Sequence, residues 1–137
     1  MDKLCEIEHA YSPPYSQPFD PFHTIGFIDA NIRSSGVKII SPNEINNIPK
    51  ETVILDVRLN EEIEAVPVNF GDLKTVRIPI EELRERLSEI PKKKSIVTLC
   101  EMGSRAWDAA LILRRAGWQD VGFLGGGALF QPKNKIQ

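Results

Sequence analysis

The chain has 137 residues, of which 17 are Lys or Arg and 19 are Asp or Glu, so its formal net charge is −2. This length favours one domain with a sizeable core, and 42% hydrophobic with 26% charged residues is typical of a soluble globular protein. The charge balance gives no basic surface for nucleic acid, and no apolar run approaches the ~20 residues needed to span a membrane. The two cysteines, Cys5 and Cys100, cannot form a disulfide framework, so we expect a cytoplasmic setting.

The first 35 residues differ in composition from the rest of the chain. Four prolines lie between residues 13 and 21, a density that prevents a regular helix or a central strand. Apolar residues at 25, 28 and 32 then have a weak helical spacing. Five aromatic residues between Tyr11 and Phe27 are many for a linker. We therefore predict an N-terminal extension over 1–35 that packs either on the following domain or on its counterpart in a second chain, which would make a homodimer.

Residues 36–132 show strands that alternate with helices. Strands are predicted over 37–40, 52–57, 75–79, 95–100 and 121–124. Helices are predicted after Ser41 with Pro42 in the first turn, from residue 61, over 80–87 before Pro91, and over 106–117. This alternation predicts an α/β domain with a central parallel sheet and helices on both faces. Residues 133–137 form a short tail in this division.

The residue counts exclude several kinds of chemistry. From Gly36 onward the chain has one cysteine and no histidine. A Cys–His dyad or a zinc site with Cys and His ligands therefore cannot be built there. No C-x-x-C occurs, which excludes a thioredoxin-type dithiol, and the glycine-rich fingerprints of nucleotide-binding loops do not occur either. The sequence therefore predicts neither a metal nor a cofactor.

The segment that begins at Cys100 is the strongest candidate for a functional site. In an open α/β sheet, sites lie beyond the carboxyl ends of the strands, and Cys100 ends the most strand-like run in the chain. A helix is predicted to start a few residues later, and its unpaired N–H groups and dipole stabilise a thiolate. Gly103 lets the loop bend into an anion nest, and Arg105 adds a permanent cation. This arrangement activates a nucleophile without histidine.

Residues 36–130 resemble a rhodanese (sulfurtransferase) domain. The resemblance is carried by the C-x-x-G-x-R loop over 100–105, by the strand end Leu-Asp-Val-Arg over 55–58, and by the glycines at 125–127. In that family the cysteine takes a sulfane sulfur as a persulfide and passes it to a nucleophile. The resemblance implies that Cys100 is the catalytic nucleophile, with small sulfane-sulfur donors and thiol acceptors as its partners.

The resemblance also implies roles for the neighbours of the cysteine. Arg105 would help to hold an anionic donor or the persulfide. The backbone that would surround the terminal sulfur belongs to Glu101, Met102, Gly103, Ser104 and Arg105.

Asp56 and Arg58 lie at the carboxyl end of a neighbouring strand. In one interpretation they are a pair that braces the active loop. In the other they are purely structural, with Arg58 paired to Glu61 or Glu62 and Asp56 capping a turn. From the sequence we favour the second interpretation.

Glu101 departs from the basic residue that often follows the cysteine in domains that use thiosulfate. A carboxylate beside the nucleophile repels a dianion, so Glu101 argues against thiosulfate as the preferred donor. A Glu at this position resembles the active-site loop of Cys-dependent phosphatases. An arsenate reductase or Cys-dependent phosphatase is therefore an alternative function. The spacing C-x-x-x-x-R is one residue shorter than in those phosphatases, which favours a sulfur atom over a tetrahedral oxyanion as the bound group.

A non-catalytic interaction module is the third hypothesis for the function, and the presence of Cys100 argues against it.

The N-terminal segment carries a second resemblance, in His9-Ala-Tyr-Ser-Pro-Pro-Tyr-Ser, Asp20-Pro21 and Gly26-Phe-Ile-Asp-Ala-Asn-Ile. It is similar to the end of the dimerisation domain in flavin-dependent disulfide reductases of the coenzyme A-disulfide reductase type. Some members carry a rhodanese domain after that segment. The resemblance implies that this chain is the tail of such a fusion or a stand-alone relative, with a flavin-dependent reductase as partner.

Overall fold

The structure, a computed structural model, describes residues 2–6 and 21–131 of the chain. The chain divides into two compact units, Met1–Gly36 and Val37–Gln137. Among the described residues, no helix is both long enough and apolar enough to cross a lipid bilayer.

The first unit contains a 3-10 helix over Asp2–Glu6 and an α-helix, α1, over Pro21–Ser35. The apolar residues 25, 28 and 32, which have a weak helical spacing, therefore lie in a helix. A proline is tolerated as the first residue of this helix because the N–H that it lacks would have no hydrogen-bond partner in the first turn. The other three prolines and three of the five aromatic residues fall outside the described residues. The packing of residues 1–35 on a protein surface or on a second chain stays a prediction.

The second unit is built on a five-stranded parallel sheet, as predicted. The strands are β1 (Lys38–Ile40), β2 (Val53–Asp56), β3 (Lys74–Arg77), β4 (Ile96–Leu99) and β5 (Val121–Leu124). Their spatial order is β1-β5-β4-β2-β3, and each neighbouring pair is parallel. All residues of β2, β4 and β5 are buried, because these central strands are covered on both faces. This burial explains why these strands are predominantly apolar.

Two hydrophobic clusters cover the two faces of the sheet. On one face, the helix α3 (Ser104–Arg115) packs against the strands through Ala106, Ala109, Ala110 and Leu113. These positions share one helix face, and the small alanines allow close approach. On the other face, buried strand side chains contact Ile45 in a turn, Phe70 in an irregular segment, and Ala128 in a 3-10 helix over Ala128–Phe130. A further helix, α2 (Asn60–Ala65), follows β2 as predicted.

The prediction of a helix after Ser41 is wrong, because residues 42–46 form turns. The N–H of Ser41 donates to Glu44 Oε2 at 2.8 Å, and the N–H of Glu44 donates to the Ser41 carbonyl at 2.9 Å. The capping pattern is therefore used to close a turn. The bond from the Ser41 N–H to the Glu44 carboxylate also occurs at helix starts, so the sequence did not distinguish the turn from a helix.

The helix predicted over 80–87 is also wrong. Residues 80–85 form successive turns, and a 3-10 helix follows over Leu87–Glu89. The N–H of Leu83 bonds to the Ile80 carbonyl, three residues back, at 3.3 Å. Leu83 is buried, and Ile80 and Leu87 pack against the core. The spacing correctly identified the buried side, but a spacing of three residues suits 3-10 turns as well as an α-helix.

Candidate active site

Cys100 lies at the junction between β4 and α3. It directly follows Leu99, the last residue of β4, and α3 begins at Ser104 after a bend of three residues. Gly103, with φ +116°, is the N-cap of α3 and turns the chain into the helix. The buried hydroxyl of Thr98 lies 2.7 Å from the Ala106 carbonyl and donates to it, which ties the first turn of α3 to β4. The junction therefore holds the cysteine at the carboxyl edge of the sheet.

The thiol of Cys100 is buried, with 1% of the residue exposed, and free of any disulfide. The backbone N–H of Gly103 donates a hydrogen bond to its Sγ at 3.0 Å. A backbone donor at the start of a helix stabilises negative charge on sulfur. The arrangement can therefore support a nucleophilic thiolate.

The side chains of the other loop residues differ in their exposure. In the Cys100 loop, defined here as residues 100–105, the side chains of Met102 and Ser104 are exposed, Gly103 is buried, and Glu101 and Arg105 are half-buried. Ser104 and Arg105 already belong to the first turn of α3. The five residues predicted to surround the terminal sulfur thus form a three-residue bend and the start of α3, directly after Cys100.

A glycine loop after β5 packs directly on the backbone of the Cys100 loop. The N–H of Ala128 donates to the Cys100 carbonyl at 2.8 Å, and the N–H of Leu129 donates to the Glu101 carbonyl at 3.1 Å. A Cβ atom on Gly127 would lie 2.5 Å from the Cys100 carbonyl oxygen and would also overlap that of Glu101. Only glycine fits between these carbonyls. The sequence showed the three glycines but not this contact, because it joins segments far apart in the chain.

Arg105 is bound by a carboxylate from α2. Its Nη1 donates to Glu62 Oε2 at 2.8 Å, and its Nη2 donates to Glu62 Oε1. Glu62 Oε2 also accepts the N–H of Leu59 at 2.8 Å. The hydrogen bond from Arg105 is the main reason why the pKa of Glu62 falls to about 2. The same bond raises the pKa of Arg105, with smaller contributions from Cys100 and Glu101.

Asp56 and Arg58 form a buried ion pair with each other. Arg58 Nη2 donates to Asp56 Oδ2 at 2.7 Å, and Arg58 Nε donates to Oδ1 at 2.9 Å. The pairing of Arg58 with Glu61 or Glu62 that we favoured from the sequence is therefore wrong, whereas Asp56 does cap a turn, since its Oδ1 accepts the backbone N–H of Arg58 at 3.2 Å. The predicted pairing failed because Asp56, two residues away, satisfies the guanidinium inside the protein, where an unpaired charge is costly.

The buried pair also positions α2. Arg58 Nη1 donates to the Val66 carbonyl at 2.7 Å, so Arg58 bonds to the residue that follows the helix. The helix in turn carries Glu62, which binds Arg105 in the Cys100 loop. Asp56 and Arg58 are thus linked to the Cys100 loop through α2 and Glu62, which from the sequence alone was considered only as a partner of Arg58.

A family model described as Rhodanese-like domain matches residues 41–129, and the chain belongs to this family. The solved structure of reduced CoADR-RHD from Bacillus anthracis aligns with 91% of this chain and 22% of its own chain, at 32% identity and a TM-score of 0.75. A NAD-dependent persulfide reductase from A. fulgidus aligns with 92% of this chain and 21% of its own, at 41% identity and a TM-score of 0.68. Since residues 37–137 make up about three quarters of the chain, both alignments extend into the first unit.

Curated relatives include the tRNA sulfurtransferases of Edwardsiella ictaluri and Histophilus somni. The first is 26% identical over 89 residues, which cover 65% of this chain and 18% of the relative. The second, from strain 129Pt, is 29% identical over 84 residues, which cover 61% of this chain and 17% of the relative. The chain therefore spans less than a fifth of the length of these relatives.

Replacing Gly127 by alanine should lower the free energy of unfolding by about 3 kcal/mol, because φ is +60°, ψ is −155° and the new Cβ overlaps two carbonyls. Urea unfolding of the full chain measures this loss. Gly71→Ala is the matched control, since its φ is +62° and nothing lies within 4 Å of the added Cβ. We expect a loss of about 1 kcal/mol there, and equal losses in the two variants would contradict the proposed clash.

Glu62→Gln should lower the free energy of unfolding by about 1 kcal/mol at pH 7, since it removes a partly buried ion pair. The pKa of Glu62 is about 2 in the folded protein and 4.5 ordinarily. The stabilisation is therefore complete above pH 4.5 and is lost as the pH falls toward 2. Urea titrations should show a smaller difference between wild type and variant at pH 3 than at pH 7. A difference that does not change with pH would show that the ion pair is not its source.

Proposed function

We propose that the second unit is a sulfurtransferase domain in which Cys100 carries sulfur as a persulfide. The observation that supports this most strongly is the buried thiol at the β4–α3 junction, with the Gly103 N–H on its Sγ. That geometry occurs in a chain of the rhodanese-like family with sulfurtransferases among its relatives.

In the first half of the reaction, the thiolate of Cys100 attacks the outer sulfur of a sulfane donor. A sulfur–sulfur bond forms at Sγ while the donor's own bond to that sulfur breaks, and the leaving group departs with the electron pair. The enzyme is left with a cysteine persulfide. The Gly103 N–H stabilises negative charge on Sγ before the attack.

In the second half, an acceptor thiolate attacks the terminal sulfur of the persulfide. A new sulfur–sulfur bond forms on the acceptor, the bond to Sγ breaks, and Cys100 leaves as the thiolate. Each half exchanges one bond for another of the same kind, so electrons balance between donor and acceptor. The helix start that favours the thiolate as nucleophile also favours it as leaving group.

We further propose that this domain works beside a flavin-dependent disulfide or persulfide reductase, as the tail of one or as a separate chain. The resemblance of residues 9–32 to a reductase dimerisation segment supports this partner. The alignments with CoADR-RHD and with the NAD-dependent persulfide reductase, which both reach into the first unit, also support it. Because a free thiol nucleophile needs a reducing compartment, we propose that it acts in the cytoplasm.

Cys100→Ser should lower the rate of sulfur transfer from a thiosulfonate donor to a small thiol by at least about a thousandfold, because a hydroxyl cannot form the persulfide. The assay is the rate of donor consumption, with circular dichroism to verify folding. Cys5→Ser is the control and should retain full activity. Comparable activity in wild type and Cys100→Ser would refute the assignment of the nucleophile.

A further inference from the structure

The cation of the Cys100 loop is already neutralised. Arg105 uses both of its Nη atoms on the two oxygens of Glu62. Its side chain is 29% exposed and that of Glu62 is 23% exposed, so the pair is largely shielded from bulk solvent. An anionic donor that needs Arg105 must therefore compete with a carboxylate that is already in place.

Arg58, which follows β2, is also neutralised. Arg58 is paired with Asp56, and their side chains are 1% and 4% exposed. Glu101 adds another carboxylate directly beside Cys100. Among these five residues, three carboxylates stand against two arginines, and both arginines are already paired, so neither is left to balance a doubly charged donor.

We propose that Glu62 is a specificity-determining residue, which occupies Arg105 and thereby disfavours dianionic sulfane donors relative to singly charged organic ones. This inference rests on the proposed sulfurtransferase function and names the donor class of that site. Glu62 acts through Arg105 and is a positioning residue in this sense. The N–H of Leu59 also donates to the Glu62 carboxylate, and this second hydrogen bond helps to keep the carboxylate beside Arg105.

The preference follows from charge. The Glu62 carboxylate offsets the attraction that Arg105 would offer a donor, and this loss scales with the charge of the donor, so a dianion loses about twice as much as a monoanion. A dianion would also gain most from a free guanidinium, because charge-assisted bonds to Arg are the strongest available at such a site. Glu62 removes that gain.

Exposed apolar side chains near the loop also favour an organic donor. Met102 is 63% exposed within the loop, and Leu129, whose N–H bonds to the Glu101 carbonyl, is 47% exposed. Phe130 follows it and is 66% exposed. An organic group on the donor can bury part of this surface, whereas an inorganic dianion cannot.

The test compares thiosulfate, a dianion, with benzenethiosulfonate, a monoanion with an apolar ring, using the full chain and one thiol acceptor. Wild type should have the higher kcat/KM with benzenethiosulfonate. Glu62→Gln should raise kcat/KM by about tenfold for thiosulfate and by about threefold for benzenethiosulfonate, since the effect scales with donor charge. The ratio between the donors is the decisive quantity, because a purely structural defect lowers both rates together.

Glu61→Gln is the matched control, since Glu61 lies on the same helix and carries the same charge. It should leave the donor ratio unchanged, and Glu62→Asp should keep the ratio near that of wild type because it keeps the charge. Raising the salt concentration with wild type should also favour thiosulfate, through screening. If wild type is active and Glu62→Gln leaves unchanged or lowers the ratio of kcat/KM for thiosulfate to that for benzenethiosulfonate, the inference fails but the proposed function stands. No transfer from either donor in wild type overturns the proposed function as well.

Discussion

The contact between Gly127 and the carbonyls of Cys100 and Glu101 is the constraint on which the site depends. Parallel pairing of β4 with β5 brings the segments after both strands to one edge of the sheet. The missing side chain at Gly127 lets the two backbones touch, and the N–H groups of Ala128 and Leu129 then bind the two carbonyls. With its carbonyl side fixed, the Cys100 loop directs the Gly103 N–H to Sγ. Backbone packing thus holds the thiol without a histidine.

Two ion pairs hold the other side of the loop. The buried pair of Asp56 and Arg58 fixes the segment that carries α2, and Glu62 from that helix fixes Arg105. Both pairs restrict geometry, and both consume positive charge. The contacts that hold the loop therefore also engage both of its nearby arginines, and this is the basis of the donor preference that we propose.

The five strands and the position of Cys100 could be predicted because their signals are local. Short, predominantly apolar runs indicate central parallel strands, and a cysteine between a strand and a helix needs only neighbouring residues to be recognised. The helices expected after Ser41 and over 80–87 were wrong because turns and α-helices share the same short spacings. The pair of Arg105 and Glu62 spans 43 residues of sequence, and only the folded sheet brings the two together. The Gly127 contact was hidden for the same reason.

The most direct test of the central claim, that Cys100 carries the transferred sulfur, is the intact mass of the full chain after incubation with benzenethiosulfonate, followed by peptide mapping. We predict the addition of one sulfur atom, located on the peptide that contains Cys100, and its loss on treatment with excess thiol. Prior alkylation of Cys100 should prevent the addition. Sulfur found only on Cys5, or no added mass in folded protein, would contradict the claim.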